Sequence, residues 1–472
     1  PEQPRSPAPT LSGEGRWLIL SDQTGVGPQL EAALHGRGRS PILIAAAVDA
    51  ATLGGYLARP ASWEGVVYLG GLDASSDELT PAAEVAARAQ RAIVPVLALI
   101  KGLADASSSA RLWIVTRGAC PVDQQAGLAC GQATLWGLGR AAAVEHPAAW
   151  GGLVDLDPQQ SATAVDALVT ELLAPDAEDQ IAFRRSRRHV ARLTAARPPA
   201  ASAPWTVSAE GAYLVTGGLG GIGLQLARWL VARGARHLIL TSRHGLPDRS
   251  EWQRDQANEV RQRIAAIAEL EAQGVQVTVA AVDVADIEQM KALLAASAPP
   301  LRGVVHAAGV LSDGLLSHQD AARLQAVLRP KVEGAWVLHQ LTRQQPLDFF
   351  VLFSSIATTL GLVGNGVYAA ANAFLDALAA LRQAQALPAL SIAWGLWAEG
   401  MGERSRPALF AELGARAMPP ALALSALQRL LGSGMSQCLV AAMDWRKFAA
   451  TLPPGGRHGQ LRQPLLGKGA DS

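Results

Sequence analysis

"AYLVTGGLGGIGLQL", Ala212 to Leu226, runs from an apolar strand through a glycine turn into the start of a helix. Thr216-Gly217 is followed by Gly221 and Gly223, the spacing T-G-x-x-x-G-x-G. Such a turn needs a sharp reversal with no side chain on its inner face. The helix that follows offers free backbone N–H groups to an anion. Thr216, Gly217, Gly218, Leu219, Gly220, Gly221, Ile222 and Gly223 therefore form a candidate cradle for a dinucleotide pyrophosphate. A glycine turn alone is weak evidence. Its place between a strand and a helix in a repeating frame is what gives it weight.

The frame extends in both directions. Downstream come "HLILTS" (237–242), "VQVTVAAVD" (275–283), "GVVHAAG" (303–309), "DFFVLFSS" (348–355), "ALSIAWG" (389–395) and "QCLVAAM" (437–443), with helical stretches between them. Including "AYLVT" (212–216), this predicts seven strands. Apolar strands alternating with helices predict an α/β fold with a doubly wound parallel sheet, its ligand at the carboxyl ends of the strands. Upstream, "WLILS" (17–21), "PILIA" (41–45), "GVVYLG" (65–70), "RLWIVTR" (111–117) and "GGLVDLD" (151–157) repeat the pattern. The "TPAAEVAARAQRAIVPVLALIKGL" stretch supplies a helix, with Pro95 interrupting its apolar run. "RPPAASAP" (197–204) separates the two halves. The expected organisation is a linker at 1–12, a first Rossmann-like unit at 13–205, a second at 206–451 and a tail at 452–472.

The first half holds a damaged copy of the glycine turn, "WLILSDQTGVGPQL" (17–30). Aligned on Gly25-x-Gly27, Ser21 stands where Gly217 does, and Asp22 where Gly218 does. A carboxylate there would face phosphate charge. Pro28 is compatible with a first helical turn. The expectation is a truncated unit that keeps the architecture and binds no cofactor.

Composition narrows the function class. With 472 residues, two domains fit better than one. Lys plus Arg number 41 against 40 Asp plus Glu, which argues against a nucleic acid or an anionic membrane as partner. "IVPVLALI" (93–100) is too short to span a bilayer. Cys120, Cys130 and Cys438 lack metal spacing and read as buried thiols of a cytoplasmic protein. No metal site is expected.

Cofactor choice turns on the end of the second strand. NAD-binding folds carry an acid there, about twenty residues past the glycines. This chain has Ser242-Arg243, and a cation suits a 2′-phosphate, so NADPH is expected. Asp283 ends the third strand and is placed to accept from the adenine.

The "FSSIATTLGLVGNGVYAAANAFLDALAALRQ" segment carries the chemistry. Ser354-Ser355 end a buried strand at the ligand-bearing edge. Tyr368 opens an Ala-rich helix, and Asn372 follows at i+4 on the same face. Ketone reduction needs a hydride and a proton for the developing alkoxide. A Tyr hydroxyl supplies the proton if a nearby cation lowers its pKa from about 10. Lys331, at a helix start marked by Pro330, is the candidate cation. Ala369, Ala370, Ala371 and Ala373 leave room for a close neighbour.

From about Thr206 to Ala450 the chain resembles the ketoreductase domains of modular polyketide synthases, within the short-chain dehydrogenase/reductase superfamily. "VTGGLGGIG", "HLILTSR", "VVHAAGVL", "PKVEGAW", "FVLFSS", "YAAANAFLDALA" and "SIAWGLW" carry the resemblance, in the family's order. The N-terminal half resembles the family's structural subdomain. The resemblance implies that Tyr368 is the proton donor, that Ser355 orients the carbonyl, and that Lys331 and Asn372 complete a tetrad. The usual superfamily pattern is Tyr-x-x-x-Lys. Here Asn372 holds that Lys position and Lys331 lies on the preceding helix, a swap normal in this branch. Ser355 suits the family's Ser–Tyr spacing better than Ser354. The resemblance also places Val284, His306, Ala307, Ala308 and Gly309 at the cofactor, beside Lys331 and Tyr368.

Stereochemical markers follow from the same resemblance. B-type members carry Leu-Asp-Asp, where this chain has Leu311-Ser312-Asp313. A-type members carry a Trp eight residues before the Tyr, and position 360 is Leu. Asp313 and the missing Trp imply B-type and a D-configured 3-hydroxyl; Ser312 departs from the motif. Asn365, Trp397 and Met401 join the substrate side, with a lid over 399–417. For Trp394, core packing is an equal reading. The implied partners are an acyl carrier protein bearing a phosphopantetheine-tethered β-ketoacyl chain, and neighbouring synthase domains. A catalytically silent scaffold domain and a fatty acid synthase or stand-alone reductase are the alternative readings.

Overall fold

The computed structural model describes residues 2–3, 15–58, 63–106, 108–122, 127–159, 163–196, 207–254, 256–398 and 407–451. The bridge at 197–204, the tail from 453 and, apart from Glu2 and Gln3, the 1–12 linker lie outside the described residues.

Two seven-stranded sheets follow one another along the chain. The first holds β1 (Arg16–Ser21), β2 (Ser40–Ala45), β3 (Trp63–Tyr68), β4 (Arg111–Arg117), β5 (Trp150–Leu156), β6 (Gln180–Arg184) and β7 (Arg187–Val190), in the order β2-β1-β3-β4-β5-β6-β7. Its strands are parallel except for the β6–β7 pair. That hairpin turns on Arg185 (φ 49°) and Ser186 (φ 63°), both left-handed, as a tight two-residue turn demands. The sequence offers no sign of it, because Asn-Gly is the usual signal. Ion pairs pin the hairpin instead: Arg184 to buried Asp155, and Arg188 to Glu171 and Asp176. The first unit's truncation thus lies in its connections, not its strand count. The helix after β2 spans only Ala50–Leu57, against Asn258–Ala272 at the matching place in the second unit.

The second sheet holds β8 (Ala212–Thr216), β9 (His237–Ser242), β10 (Gln276–Ala281), β11 (Leu301–His306), β12 (Phe349–Ser355) and β13 (Leu390–Trp394). After β14 (Ala415–Arg416) comes its last strand, β15 (Gln437–Val440). The order is β10-β9-β8-β11-β12-β13-β15, all parallel. The expected run 437–443 splits at Ala441, and β16 (Ala442–Met443) pairs antiparallel with β14. Strand order reverses between β8 and β11, the crevice where ligands bind in such sheets.

Helices cover both faces of each sheet, which explains the unbroken apolar runs: every residue of β8 and β13 is buried. The Ala82–Asp105 helix continues through Pro95 instead of stopping there. Burial of Ala92, Ile93, Val96, Leu97 and Ile100 on its core face outweighs the single hydrogen bond that Pro95 removes.

The two units share one apolar core. Leu135 and Leu138 of the Cys130–Glu145 helix join Val367, Ala370 and Phe374 of the Gly366–Ala384 helix in a single cluster. The approach is backbone to backbone. A Cβ on Gly137 would lie 2.2 Å from the carbonyl oxygen of Ala369, and one on Gly361 would lie 2.1 Å from that of Arg140. The alanines after Tyr368 therefore make room for the first unit's helix. Polar ties reinforce the joint: Trp336 Nε1 donates to the Thr80 carbonyl at 2.9 Å, and Arg140 Nη1 to that of Thr358 at 2.8 Å.

Candidate active site

The glycine turn after β8 is tightly folded. Gly217 is left-handed at φ +70°, and a Cβ on Gly223 would lie 2.3 Å from the Gly217 carbonyl oxygen. The Gly221–Ala232 helix opens at Gly220 with no side chain capping its first N–H groups. These groups face a cleft of about 470 Å³. Leu219, Gly220, Gly221, Ile222, Ser242, Arg243, Asp283, Val284, Ala307, Ala308 and Gly309 line it together with Gly217 and Gly223. Thr216, Gly218 and His306 are buried behind its wall. Thr216 Oγ1 meets His306 Nδ1 at 2.8 Å and accepts from the Ala308 N–H at 3.3 Å, tying β8 to β11. Burial, helped by the Lys331 charge, pushes the His306 imidazole down to about 3, so it stays neutral.

Arg243 is exposed at this cleft, and Arg263, which the sequence did not single out, lines the same wall. Asp283 is partly committed elsewhere. One carboxylate oxygen accepts from the Ala285 N–H at 3.0 Å, and the other takes Arg329 Nε at 3.0 Å. It builds its own turn as well as bordering the cleft.

The damaged copy differs in one decisive way. Asp22 fills the anion position itself: its carboxylate accepts from the N–H groups of Thr24 (2.9 Å), Val26 (3.2 Å) and Gly27 (2.8 Å). The free N–H groups that a phosphate would use are taken by the chain's own acid.

A second cavity, of about 220 Å³, opens at the carboxyl end of β12. Lys331, Ser355 and Tyr368 line it, as do Leu311, Asp313, Asn365 and Trp397. Ile222 and Ala307 border both spaces, so the glycine cleft and this cavity meet there. Lys331 does not start a helix. It lies in a π-turn, Arg329–Glu333, between the helices Ala321–Leu328 and Gly334–Thr342. Pro330 has no N–H to give the regular ladder, and the extra residue re-aims the side chain. Lys331 Nζ donates to the Phe353 carbonyl at 2.6 Å. Burial pushes the ammonium down to about 7, with the Asp376 charge pulling it back up. Asp376, absent from the sequence reading, is buried eight residues beyond Tyr368 and accepts from Ser391 Oγ at 2.6 Å.

Tyr368 corrects one expectation. Its phenol is raised above the ordinary value, not lowered: burial dominates, Asn372 pulls the other way, and Asp313 adds to the rise. Asn372 is buried, with Nδ2 donating to the Tyr368 carbonyl at 2.8 Å and Oδ1 without a partner. Ser354 and Ser355 both line the cavity; the Ser354 hydroxyl lies 3.4 Å from the Asn372 carbonyl, and Ser355 Oγ accepts from Ala357 N–H at 3.2 Å.

On the substrate side, Asn365 Nδ2 donates to Asp313 Oδ1 at 2.8 Å. Leu360 lines the cavity, whereas Ser312 is not among its lining residues. Trp394 does both jobs considered for it: it packs on Phe353 at 5.4 Å between ring centroids and borders the cavity. Met401 and residues 399–406 of the expected lid lie outside the described residues. From 407 on, the Pro407–Glu412 helix brings Phe410 to the cavity. Val144, from the first unit, lines it too. No sequence motif announces Val144 or Phe410, because only the tertiary arrangement brings them here.

Among the described residues no His, Cys, Asp or Glu cluster could hold a metal ion, and no helix is long and apolar enough to cross a membrane. The three cysteines are free; Cys130 is buried and Cys120 and Cys438 are half-buried. Burial pushes all three thiols up, Cys130 to about 12.

Comparison with known proteins places both units. A family model described as "KR domain" matches residues 211–399. Another, "Polyketide synthase extender module SpnB, Rossmann fold domain", matches 21–193. Polyketide synthase GfsA of Streptomyces halstedii is 43% identical over 76% of this chain, and the chain spans 5% of its length. The pikromycin polyketide synthase component PikAIII of Streptomyces venezuelae is also 43% identical over 76%, and the chain spans 22% of it. A solved structure described as an A1-type ketoreductase superposes with a TM-score of 0.82 at 34% identity, covering 98% of this chain and 96% of its own.

Proposed function

We propose, from the premise that this chain belongs to the ketoreductase domains of modular polyketide synthases, that it reduces a carrier-bound β-ketoacyl chain to the β-hydroxyacyl form with NADPH. The observation that carries the reading is the meeting of two spaces at Ile222 and Ala307: a glycine cleft, and a cavity holding Lys331, Ser355 and Tyr368. Ketoreductases of this superfamily take a nicotinamide cofactor, and the cradle fits one. Its helix N-terminus is uncapped, a side chain on Gly223 would collide with backbone, and Gly217 holds a left-handed φ that a side chain disfavours. Gly217 to Gly223 would hold the pyrophosphate, and Arg243, aided by Arg263, the 2′-phosphate. When bound, the nicotinamide supplies a hydride to C3 of the substrate.

The chain's own residues do the rest. Ser355 donates to the ketone oxygen and fixes it. Tyr368 O–H delivers its proton to that oxygen as the C–O bond becomes single. The tyrosinate left behind is stabilised by the Lys331 cation and reprotonated from solvent. Asn372, with its unpartnered Oδ1, is placed to accept a hydrogen bond in that proton path. Asp313, held by Asn365, and Leu360 in place of a Trp support B-type reduction and a D-configured hydroxyl. The chain would work in the cytoplasm, one domain of a longer synthase, on a β-ketoacyl chain tethered to the phosphopantetheine of an acyl carrier protein. We assign 13–205 as the structural unit and 206–451 as the reducing one, with nucleotide bound once per chain. The test is NADPH oxidation with a β-ketoacyl thioester, followed by chiral analysis of the alcohol. Nucleotide binding without turnover would instead indicate a silent scaffold.

Two expectations follow. Arg243→Ala should raise the KM for NADPH by about 10–100-fold and leave that for NADH nearly unchanged, the cost of one charge-assisted contact. Equal effects on both cofactors would remove Arg243 from the 2′-phosphate site. The second concerns pH. Lys331 is a cation below about 7 and neutral above it. If its charge holds the tyrosinate, kcat/KM should fall as pH rises through about 7. Lys331→Met should lose both that limb and most of the rate.

A further inference from the structure

Glu145 ends the Cys130–Glu145 helix of the first unit, far in sequence from Lys331, Ser355, Tyr368 and Asn372. Its two carboxylate oxygens reach two different loops of the second unit. Oε2 accepts from the Leu316 N–H at 2.8 Å, and Oε1 from the Gly364 N–H at 2.9 Å. These loops form the wall of the substrate cavity. One runs through Leu311 and Asp313 to Leu316. The other carries Val363 and Asn365 into the helix that bears Tyr368. Two further bonds stitch them together: Gly314 N–H to the Gly364 carbonyl at 2.9 Å, and Asn365 Nδ2 to Asp313 Oδ1 at 2.8 Å. The residue before Glu145, Val144, is itself part of the cavity wall.

We propose that Glu145 is a positioning residue for stereocontrol: the noncatalytic unit sets, through one carboxylate, the separation of the two loops that present the substrate to Tyr368. This rests on the ketoreductase reading above. The chemistry is that of a bridging acceptor. A carboxylate takes one N–H on each oxygen. An amide in its place keeps one acceptor and turns its NH₂ toward the other N–H, so one loop loses its hold. Asp313 lies three residues before one anchor, Leu316, and Asn365 directly follows the other, Gly364, so their pairing depends on both loops keeping register. Leu315 and Val363 are 41% and 42% exposed, so packing alone holds the loop tips weakly.

The experiment compares wild type, Glu145→Gln and Glu145→Asp on a 2-methyl-3-ketoacyl thioester. Three quantities are read: the ratio of stereoisomeric alcohols, kcat/KM, and the Kd for NADPH by fluorescence. Glu145→Gln should lower both the stereoisomer ratio and kcat/KM by about tenfold, one charge-assisted hydrogen bond's worth. The NADPH Kd should stay within about twofold, because the cradle lies on other elements. Glu145→Asp keeps both acceptors on a shorter arm and should fall between. An unchanged isomer ratio overturns the proposal, whether or not kcat/KM falls with it, because a merely structural role lowers rate without changing facial choice. If Glu145→Gln loses NADPH binding, Glu145→Asp is judged by the same criteria. A wild type that binds NADPH and reduces nothing would instead sink the ketoreductase reading.

Discussion

Tyr368→Phe is expected to lower kcat by about 10²–10⁴-fold, the range for loss of a positioned general acid. The substitution removes one oxygen from a side chain that lines the cavity beside Ser355 and Lys331. The ring's packing stays, and so does the Asn372 Nδ2 bond to the Tyr368 backbone carbonyl. NADPH binding should persist, because the cradle is built on β8, β9 and the helix at Gly221. Burial holds the Tyr368 phenol above its ordinary value, which on the proposed mechanism would keep the proton in place until an alkoxide develops. The check is single-turnover NADPH oxidation with bound cofactor measured in parallel. A variant as active as wild type would mean that the proton comes from elsewhere.

Gly223→Val is expected to abolish nucleotide binding, raising Kd by about 10²-fold or more through loss of the close backbone approach. A Cβ at this position would lie 2.3 Å from the Gly217 carbonyl oxygen and 2.7 Å from Gly218 Cα, both backbone of the turn. Neither can move without opening the cradle. The overpacking itself should cost only about 1–3 kcal/mol of stability, so a folded protein without cofactor is the expected product. Gly27→Ala is the matched control in the other turn. Its Cβ would meet Ser21 Oγ at 2.2 Å, a hydroxyl that can turn aside at the loss of its 3.1 Å bond to the Asp22 carbonyl, and NADPH binding should not change. Fluorescence titration of both variants decides it. Nucleotide lost from Gly27→Ala would make the first turn a ligand site after all.

Much of this was legible in residue types. Glycine spacing and strand–helix alternation reveal the second sheet in its full strand count, because a parallel sheet buried on both faces leaves continuous apolar runs. Ser355 and Tyr368 could be matched to one site because they fall at a strand end and a helix start, where such a sheet collects its ligands, and Lys331 joined them as the cation beside Pro330. What stayed hidden has physical causes. The β6–β7 hairpin turns on Arg185-Ser186 and is stabilised by ion pairs distant in sequence. The π-turn at Lys331 comes from Pro330 inside a longer helical run, and no periodicity marks it. The raised Tyr368 phenol depends on burial, which spacing does not encode. By residue type alone, Asp22 reads as a charge that repels a phosphate. Its actual part, replacing one, is visible only in the hydrogen bonds it makes.

The backbone contact between Gly137 and Ala369 bears on how such chains can be recombined. A side chain is excluded there by main-chain atoms of the very helix that carries Tyr368, one residue before Ala369. Glu145 and Val144 then shape the cavity from the same helix end. Grafting the reducing half of one synthase onto the companion half of another would cut through this joint. The smallest portable piece is therefore the pair, and a chimera spliced at the bridge between the halves inherits one parent's chemistry with another parent's mould.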